Sequence, residues 1–88
     1  SLDEIAKFLK DQPNEKLDVV GHTDNIGGAD FNMQLSKARA DAVVADLVST
    51  YIVSASRLMA MGEGLQSPVA SNDDDAGRAK NRRVELHR

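Results

Sequence analysis

Asp24 and Arg39 stand within one dense stretch, Gly21-His22-Thr23-Asp24-Asn25-Ile26-Gly27 followed by Asn32-Met33-Gln34-Leu35-Ser36-Lys37-Ala38-Arg39-Ala40. An acid at the end of a short apolar run is followed by a Gly-rich turn and a helical pattern that carries a base. If the turn folds the chain back, one fixed negative and one fixed positive group face a shared space. Such a pair matches a zwitterion, the ammonium and carboxylate of an amino-acid centre, which is binding chemistry rather than a reaction centre. Arg presents a planar fork that takes a carboxylate bidentately. Asp24 can receive an ammonium, and the backbone N–H groups of the Gly27-Gly28 turn can hold a further anionic oxygen. The competing reading is a direct Asp24–Arg39 salt bridge, worth ~0–1 kcal/mol when exposed. That reading leaves Asn32, Ser36 and the surrounding glycines without a reason.

Other reactive types carry less. His22 and His87 are the two histidines, too far apart in the chain pattern to meet a metal-ligand spacing; His22, at a strand end, is expected to be a satisfied structural residue. A Ser36-His22-Asp24 triad lacks a nucleophile elbow and an oxyanion motif, so no catalytic residue is assigned. Asp73-Asp74-Asp75 lacks the EF-hand pattern and reads as a charged turn capping the next helix. No cofactor and no metal are expected. Ser36 can bond to its own helix backbone instead of a ligand.

The elements that must position these groups follow from periodicity. Leu2, Ile5, Ala6 and Leu9 fall at i, i+3, i+4 and i+7, an amphipathic helix that ends before Pro13. Lys16 to Gly21 reads as a strand and Asn25 to Asp30 as a turn, with Asp30 as N-cap of the next helix. That helix is expected over Phe31 to Tyr51, with Ala40, Val43, Val44, Leu47, Val48 and Tyr51 on the core face. Asn32, Ser36 and Arg39 form a polar stripe at its edge. Val53 to Arg57 is a connector in which Ser54 or Ser56 caps a turn. Leu58 to Met61 is a strand stopped by Gly62 and Gly64, and Gln66 to Asp75 is a loop. Asp74 or Asp75 caps a short helix over Ala76 to Asn81. From Arg83 to His87 a strand alternates Val84 and Leu86 inward with Glu85 and His87 outward. The order α-β-α-β-α-β predicts an α/β (α+β) sandwich, a small sheet with helices on one face.

Composition bounds the rest. With 88 residues the chain is read as one domain, residues 1–88, too short for a deep enclosed pocket. Hydrophobic residues at 41% and charged residues at 28% argue against disorder. The three aromatics, Phe8, Phe31 and Tyr51, offer few stacking platforms. A net charge of −3 disfavours nucleic acid, since phosphate neutralisation needs a basic face. The cluster Arg78, Lys80, Arg82 and Arg83 follows three aspartates that partly compensate it. There is no cysteine, and no apolar run reaches the ~20 residues of a membrane span. The chain opens inside a helical pattern and is read as one module of something longer.

Several blocks then fall in a familiar order: Gly21-His22-Thr23-Asp24, Asn32, Leu35-Ser36-x-x-Arg39-Ala40, Arg57-Leu58, Gly62-x-Gly64, Pro68, Asn72, Gly77-Arg78 and Asn81-Arg82-Arg83-Val84-Glu85. From about Leu2 to Leu86 the chain resembles the OmpA-like C-terminal domain, the family of peptidoglycan-associated lipoproteins and flagellar stator B subunits. The resemblance implies a non-catalytic peptidoglycan-binding module that anchors a larger envelope protein by gripping the diaminopimelate residue of the stem peptide. It implies that Asp24 binds the ammonium of that residue and Arg39 its carboxylate. Asn32 and Arg82 line the same pocket, with Thr23 and Leu35 nearby. It also implies a mixed sheet lacking the family's usual strand ahead of the first helix, so the domain is read as N-terminally truncated. The expected location is the periplasm of a Gram-negative-type envelope, attached to the outer membrane by a part of the protein outside this chain. The partner is peptidoglycan, with no nucleic acid and no membrane span. A protein–protein interaction module of an envelope complex is the second reading, and a wall amidase the third.

Overall fold

The computed structural model describes residues 2–88. Its elements run α1 (Leu2–Asp11), β1 (Leu17–His22), α2 (Ala29–Ser49), a 3-10 turn (Ala55–Arg57), β2 (Leu58–Gly64), α3 (Asp75–Asn81) and β3 (Val84–His87). The sheet order is β2-β1-β3, with β1 parallel to β2 and antiparallel to β3. A parallel pair needs a crossover, and α2 supplies it by lying across the sheet. The expected sandwich with a small mixed sheet is what the chain forms.

The apolar core gathers Leu9, Leu17, Leu47 and Val53, with Leu2, Ile5, Ala6, Phe8, Val43, Tyr51, Leu58 and Leu86 packed around it. It lies where α1 and the C-terminal half of α2 meet the sheet. The N-terminal half of α2 is held differently. Asn32 and Ser36 are buried along with Ala40 and Leu47, so two of the three residues placed on the polar edge stripe continue the core face, and Arg39 alone stays at the edge. The cause is three glycines. A Cβ on Gly21 would stand 2.0 Å from the Ser36 carbonyl oxygen, and one on Gly62 would stand 2.7 Å from the Lys37 nitrogen. Without side chains there, helix backbone settles directly on strand backbone. Ser36 Oγ closes the contact by donating to the Met33 carbonyl (2.8 Å) and accepting from the Gly64 N–H (2.9 Å).

Several details differ from expectation. β2 continues through Gly62 to Gly64, because these glycines make the helix contact instead of ending the strand. α2 begins at Ala29, with Gly28 as N-cap and no side-chain bond there, so Asp30 lies in the first turn and acts only through its charge on the helix dipole. At the 3-10 turn, Ser54 caps without a side-chain bond, and the Ser54 and Ser56 hydroxyls bond each other at 2.9 Å. The expected cap of α3 is present: Asp74 accepts from the Gly77 N–H at 2.6 Å.

One sequence feature with no assigned role closes the first helix. Arg57 donates from Nη2 to the carbonyls of Leu9 (2.8 Å) and Gln12 (2.7 Å), and from Nε to that of Glu15 (3.0 Å). Carbonyls at a helix C-terminus lack intrahelical partners, and a guanidinium supplies them here while tying α1 to the start of β2.

α2 ends through a residue that resists its own conformation. Val53 N–H returns to the Leu47 carbonyl (3.0 Å), and the chain reverses at Ile52 with φ 59. That left-handed state belongs to Gly or Asn, and a β-branched side chain is strained in it. Ile52 is also 82% exposed, so little burial compensates. Ile52→Gly is therefore expected to stabilise the domain by about 0.5 kcal/mol, the relief of strain exceeding the added chain entropy. This corresponds to about 3 °C in melting temperature. A lower melting temperature would contradict the strain assigned to Ile52.

Candidate functional site

Asp24 follows the end of β1, where several contacts fix it. The register with β2 shifts between Gly21 and His22, as a bulge that re-aims a strand end does. Thr23 N–H donates to the Gly64 carbonyl (2.8 Å), and the Thr23 hydroxyl donates to the Asp24 carbonyl (2.8 Å). Ile26 N–H donates to Asp24 Oδ1 at 3.0 Å, an Asx turn. Asn32 reaches back from α2, its Nδ2 donating to the Ile26 carbonyl (3.0 Å) and more weakly to that of Gly27 (3.5 Å). Gly27 takes φ +91, which lets the turn meet the helix.

The second oxygen of Asp24 belongs to Arg82, whose Nη1 lies 2.8 Å from Oδ2. The salt bridge weighed between Asp24 and Arg39 is thus made by a different arginine. Arg82 is held at the end of α3 by Asn81, which is fully buried. Asn81 Oδ1 accepts from the N–H groups of Val69 (2.8 Å) and Ala70 (3.0 Å), and its Nδ2 donates to the Ala70 carbonyl (3.0 Å) and Asn72 Oδ1 (2.8 Å). One amide therefore organises the loop before α3. Gly77 is required beside it, since a Cβ there would stand 1.8 Å from the Ser71 carbonyl oxygen.

Arg39 and Arg82 line one open cleft of about 400 Å³ together with Ala42, Val43, Arg83 and Val84. Arg39 makes no hydrogen bond or ion pair with any described residue. Arg83, by contrast, is engaged: Nε donates to Glu85 Oε2 (2.5 Å) and Nη2 to the Ser67 carbonyl (2.9 Å). Asp24 is thus paired with Arg82, and Arg82 shares the lining of the cleft with Arg39. Thr23 and Asn32 are buried and spend their polar atoms on the loop, and Leu35 is half-buried on α2. The sequence stripe singled out Asn32 without showing that its amide is the pin of the turn, and it passed over Asn81, for which the block Asn81-Arg82-Arg83 was the available signal. Among the described residues no group of three or more His, Cys, Asp or Glu is placed to hold a metal.

Electrostatically the acid is settled. The Ile26 N–H, and then the Arg82 guanidinium, hold the Asp24 carboxyl below the usual carboxylate range. It is ionised at neutral pH and a poor proton carrier, suited to receiving a cation.

The chain belongs to the OmpA family, which it matches over residues 1–82. It is 46% identical over 82 residues to the probable lipoprotein YiaD of Escherichia coli (strain K12), covering 93% of this chain and 37% of that one. It is 40% identical over 85 residues to the peptidoglycan-binding protein ArfA of Mycobacterium tuberculosis, covering 97% of this chain and 26% of the relative. The chain thus spans well under half the length of these relatives. Its fold superposes on the crystal structure of the peptidoglycan-associated lipoprotein from Burkholderia pseudomallei with a TM-score of 0.88 and 34% identity, over 97% of this chain and 71% of that one.

His22 departs from expectation. It is 2% exposed, yet neither ring nitrogen has a hydrogen-bond partner among the described residues. Glu85 Oε1 lies 3.8 Å away, but that carboxylate is committed to Arg83 and His87. Burial, and then the Arg83 charge, depress the imidazole below its ordinary value of 6.5, outweighing Glu85 and Glu63. The unfolded chain therefore binds the proton first, and stability present above pH 6.5 is lost as pH falls below it. Asp24 and Glu85, also depressed, add their losses only at lower pH, beneath the ordinary carboxylate values. The melting temperature is expected to fall from about pH 7 to about pH 5, and His22→Leu to flatten that slope. A wild-type melting temperature constant over the window would overturn the assignment.

Proposed function

We infer that this domain binds peptidoglycan without catalysis, recognises the diaminopimelate residue of the stem peptide, and so anchors a larger envelope protein to the wall from the periplasmic side. The observation that carries the reading is a charged group in which the fixed carboxylate of Asp24 pairs with Arg82, while Arg82 and Arg39 line one open cleft. Its charges complement an ammonium and a carboxylate on one carbon. The far end of diaminopimelate is such a centre, and the lysine that replaces it in other walls lacks the carboxylate. The mycobacterial relative is a peptidoglycan-binding protein and the superposed structure a peptidoglycan-associated one, which supports the same ligand here. Binding is favoured over hydrolysis because the carboxylate is already paired and acidic, the opposite of a poised general base. Attachment to the outer membrane through a further part of the protein fits the lipoprotein relative.

A second reading, docking of a protein partner in an envelope complex, is favoured by β2. It is an edge strand of the sheet with Met59 60% and Met61 40% exposed, and free strand edges invite pairing. Cosedimentation with purified sacculi separates the two, because a pure partner module stays in the supernatant.

Asp24→Asn retains an oxygen for the Ile26 N–H while removing the charge, and Arg39→Ala removes a side chain that supports no described contact. Both variants are expected to fold and to lose measurable cosedimentation, since truncating one partner of a charged contact costs roughly 2–5 kcal/mol. Amidation of the far carboxylate of a soluble diaminopimelate stem peptide is expected to lower its affinity in calorimetry. Wild-type pelleting by both folded variants, or equal affinity for the amidated peptide, would shift the assignment to the partner module.

A further inference from the structure

Both oxygens of Asp24 accept from groups of the protein itself, and they are held unequally. Oδ1 accepts from a backbone N–H, in a turn pinned by Asn32. Freeing it means rebuilding the turn. Oδ2 accepts from Arg82, a side chain 44% exposed at the rim of the cleft. Freeing it needs only a rotation of that side chain. An incoming ammonium therefore meets a carboxylate whose one releasable oxygen already holds a cation.

The charges around the site make this consequential. Asp24 contributes one negative charge, and Arg82 and Arg39 two positive ones; Arg83 is neutralised by Glu85. The trio thus carries an excess of one positive charge before any ligand binds. A bare ammonium raises that excess and strands Arg82 without its anion. A centre bearing both ammonium and carboxylate leaves the excess unchanged, because its carboxylate re-pairs the arginine that its ammonium displaces.

We propose that Arg82 is the resident counter-ion of Asp24 and that ligand enters by ion-pair exchange, which makes Arg82 the residue that rejects amines lacking an adjacent carboxylate. The proposal rests on the diaminopimelate reading of the site and assigns different tasks to its two arginines. Arg39, unpaired at rest, attracts the carboxylate and contributes only to ligands that have one. Arg82 acts on both kinds of ligand in opposite directions, since it must leave Asp24 for either and is compensated by one alone. Removing it therefore relieves the penalty against a simple amine.

The test is calorimetry with two soluble stem peptides that differ only in carrying diaminopimelate or lysine, on wild type, Arg82→Gln, Arg82→Lys and Arg39→Gln. The wild type is expected to prefer the diaminopimelate peptide. In Arg82→Gln the lysine peptide is expected to bind about fivefold more tightly than to wild type, the equivalent of one partly exposed ion pair, and the preference to shrink. Arg82→Lys, which restores the charge, is expected to restore most of the preference. Arg39→Gln is expected to weaken the diaminopimelate peptide alone. In wild type, the Arg82 side-chain Nε–H resonance is expected to shift on adding the diaminopimelate peptide. Equal weakening of both peptides by Arg82→Gln would show that Arg82 merely steadies Asp24, and an unmoved resonance would show that no exchange occurs; either overturns the proposal while leaving the site assignment standing. Binding of neither peptide by the wild type would overturn both.

Discussion

Backbone-to-backbone contact between α2 and the sheet is the constraint on which the rest of this domain depends. Gly21 and Gly62 leave no room for even a methyl group beneath Ser36 and Lys37, so the first turns of the helix are seated against the strand ends. That seating brings Asn32 within reach of the Ile26 carbonyl and sets Arg39 above the cleft that Arg82 lines. Any wider spacing would disconnect the turn from the helix. The apolar core performs a separate task at the other half of α2, where Leu47 meets Leu9 and Leu17. Stability and site geometry are thus drawn from two halves of a single helix, one lined by Leu and Val, the other by Asn, Ser and facing glycines.

Loops around the site are organised by amides rather than by apolar packing. Asn32 pins the turn after β1 and Asn81 the segment before α3, each by donating to or accepting from backbone groups. Buried backbone polar groups in irregular segments need such partners. An asparagine supplies both a donor and an acceptor at one point. Arg78 and Arg83 add to these amides, donating to the Asn72 and Ser67 carbonyls, whereas Arg39 bonds to no described loop residue.

Periodicity made the element order legible, since Leu2 to Leu9 and Ala40 to Leu47 repeat at helical spacing and Val84 to His87 alternates. Asp24, Arg39 and Arg82 were singled out as a set by local motifs and their family resemblance. The pairing inside that set was not legible, because whether Asp24 meets Arg39 or Arg82 depends on how α3 closes over the strand end, a tertiary fact with no local signature. The same holds for Gly62 and Gly64: a glycine that breaks a strand and a glycine that admits a helix look alike until the neighbour is known. Asn32 and Ser36 were read as an edge for the related reason that helical periodicity counts apolar residues, and a face that packs on glycine backbone can be polar. His22 was expected to be satisfied, and its isolation follows from Glu85 being claimed by Arg83 and His87.

The guanidinium of Arg57 also bears on how the domain responds to a mechanical load. Tension between Asp24 and the N-terminal end of α1 runs along β1, whose six residues already approach the full reach of an extended backbone. That strand has almost no slack to yield, whereas a helix under the same pull can lengthen about twofold by uncoiling. α1 is the extensible element in the line, and its last turn is fastened by Arg57 to the start of β2. Uncoiling that begins at Leu2 therefore meets a stop at Leu9, Gln12 and Glu15, where one side chain grips three carbonyls and passes the strain sideways into the sheet. A domain fastened in this way is expected to act as a spring with a catch, giving first at Leu2, the end of α1 remote from Arg57.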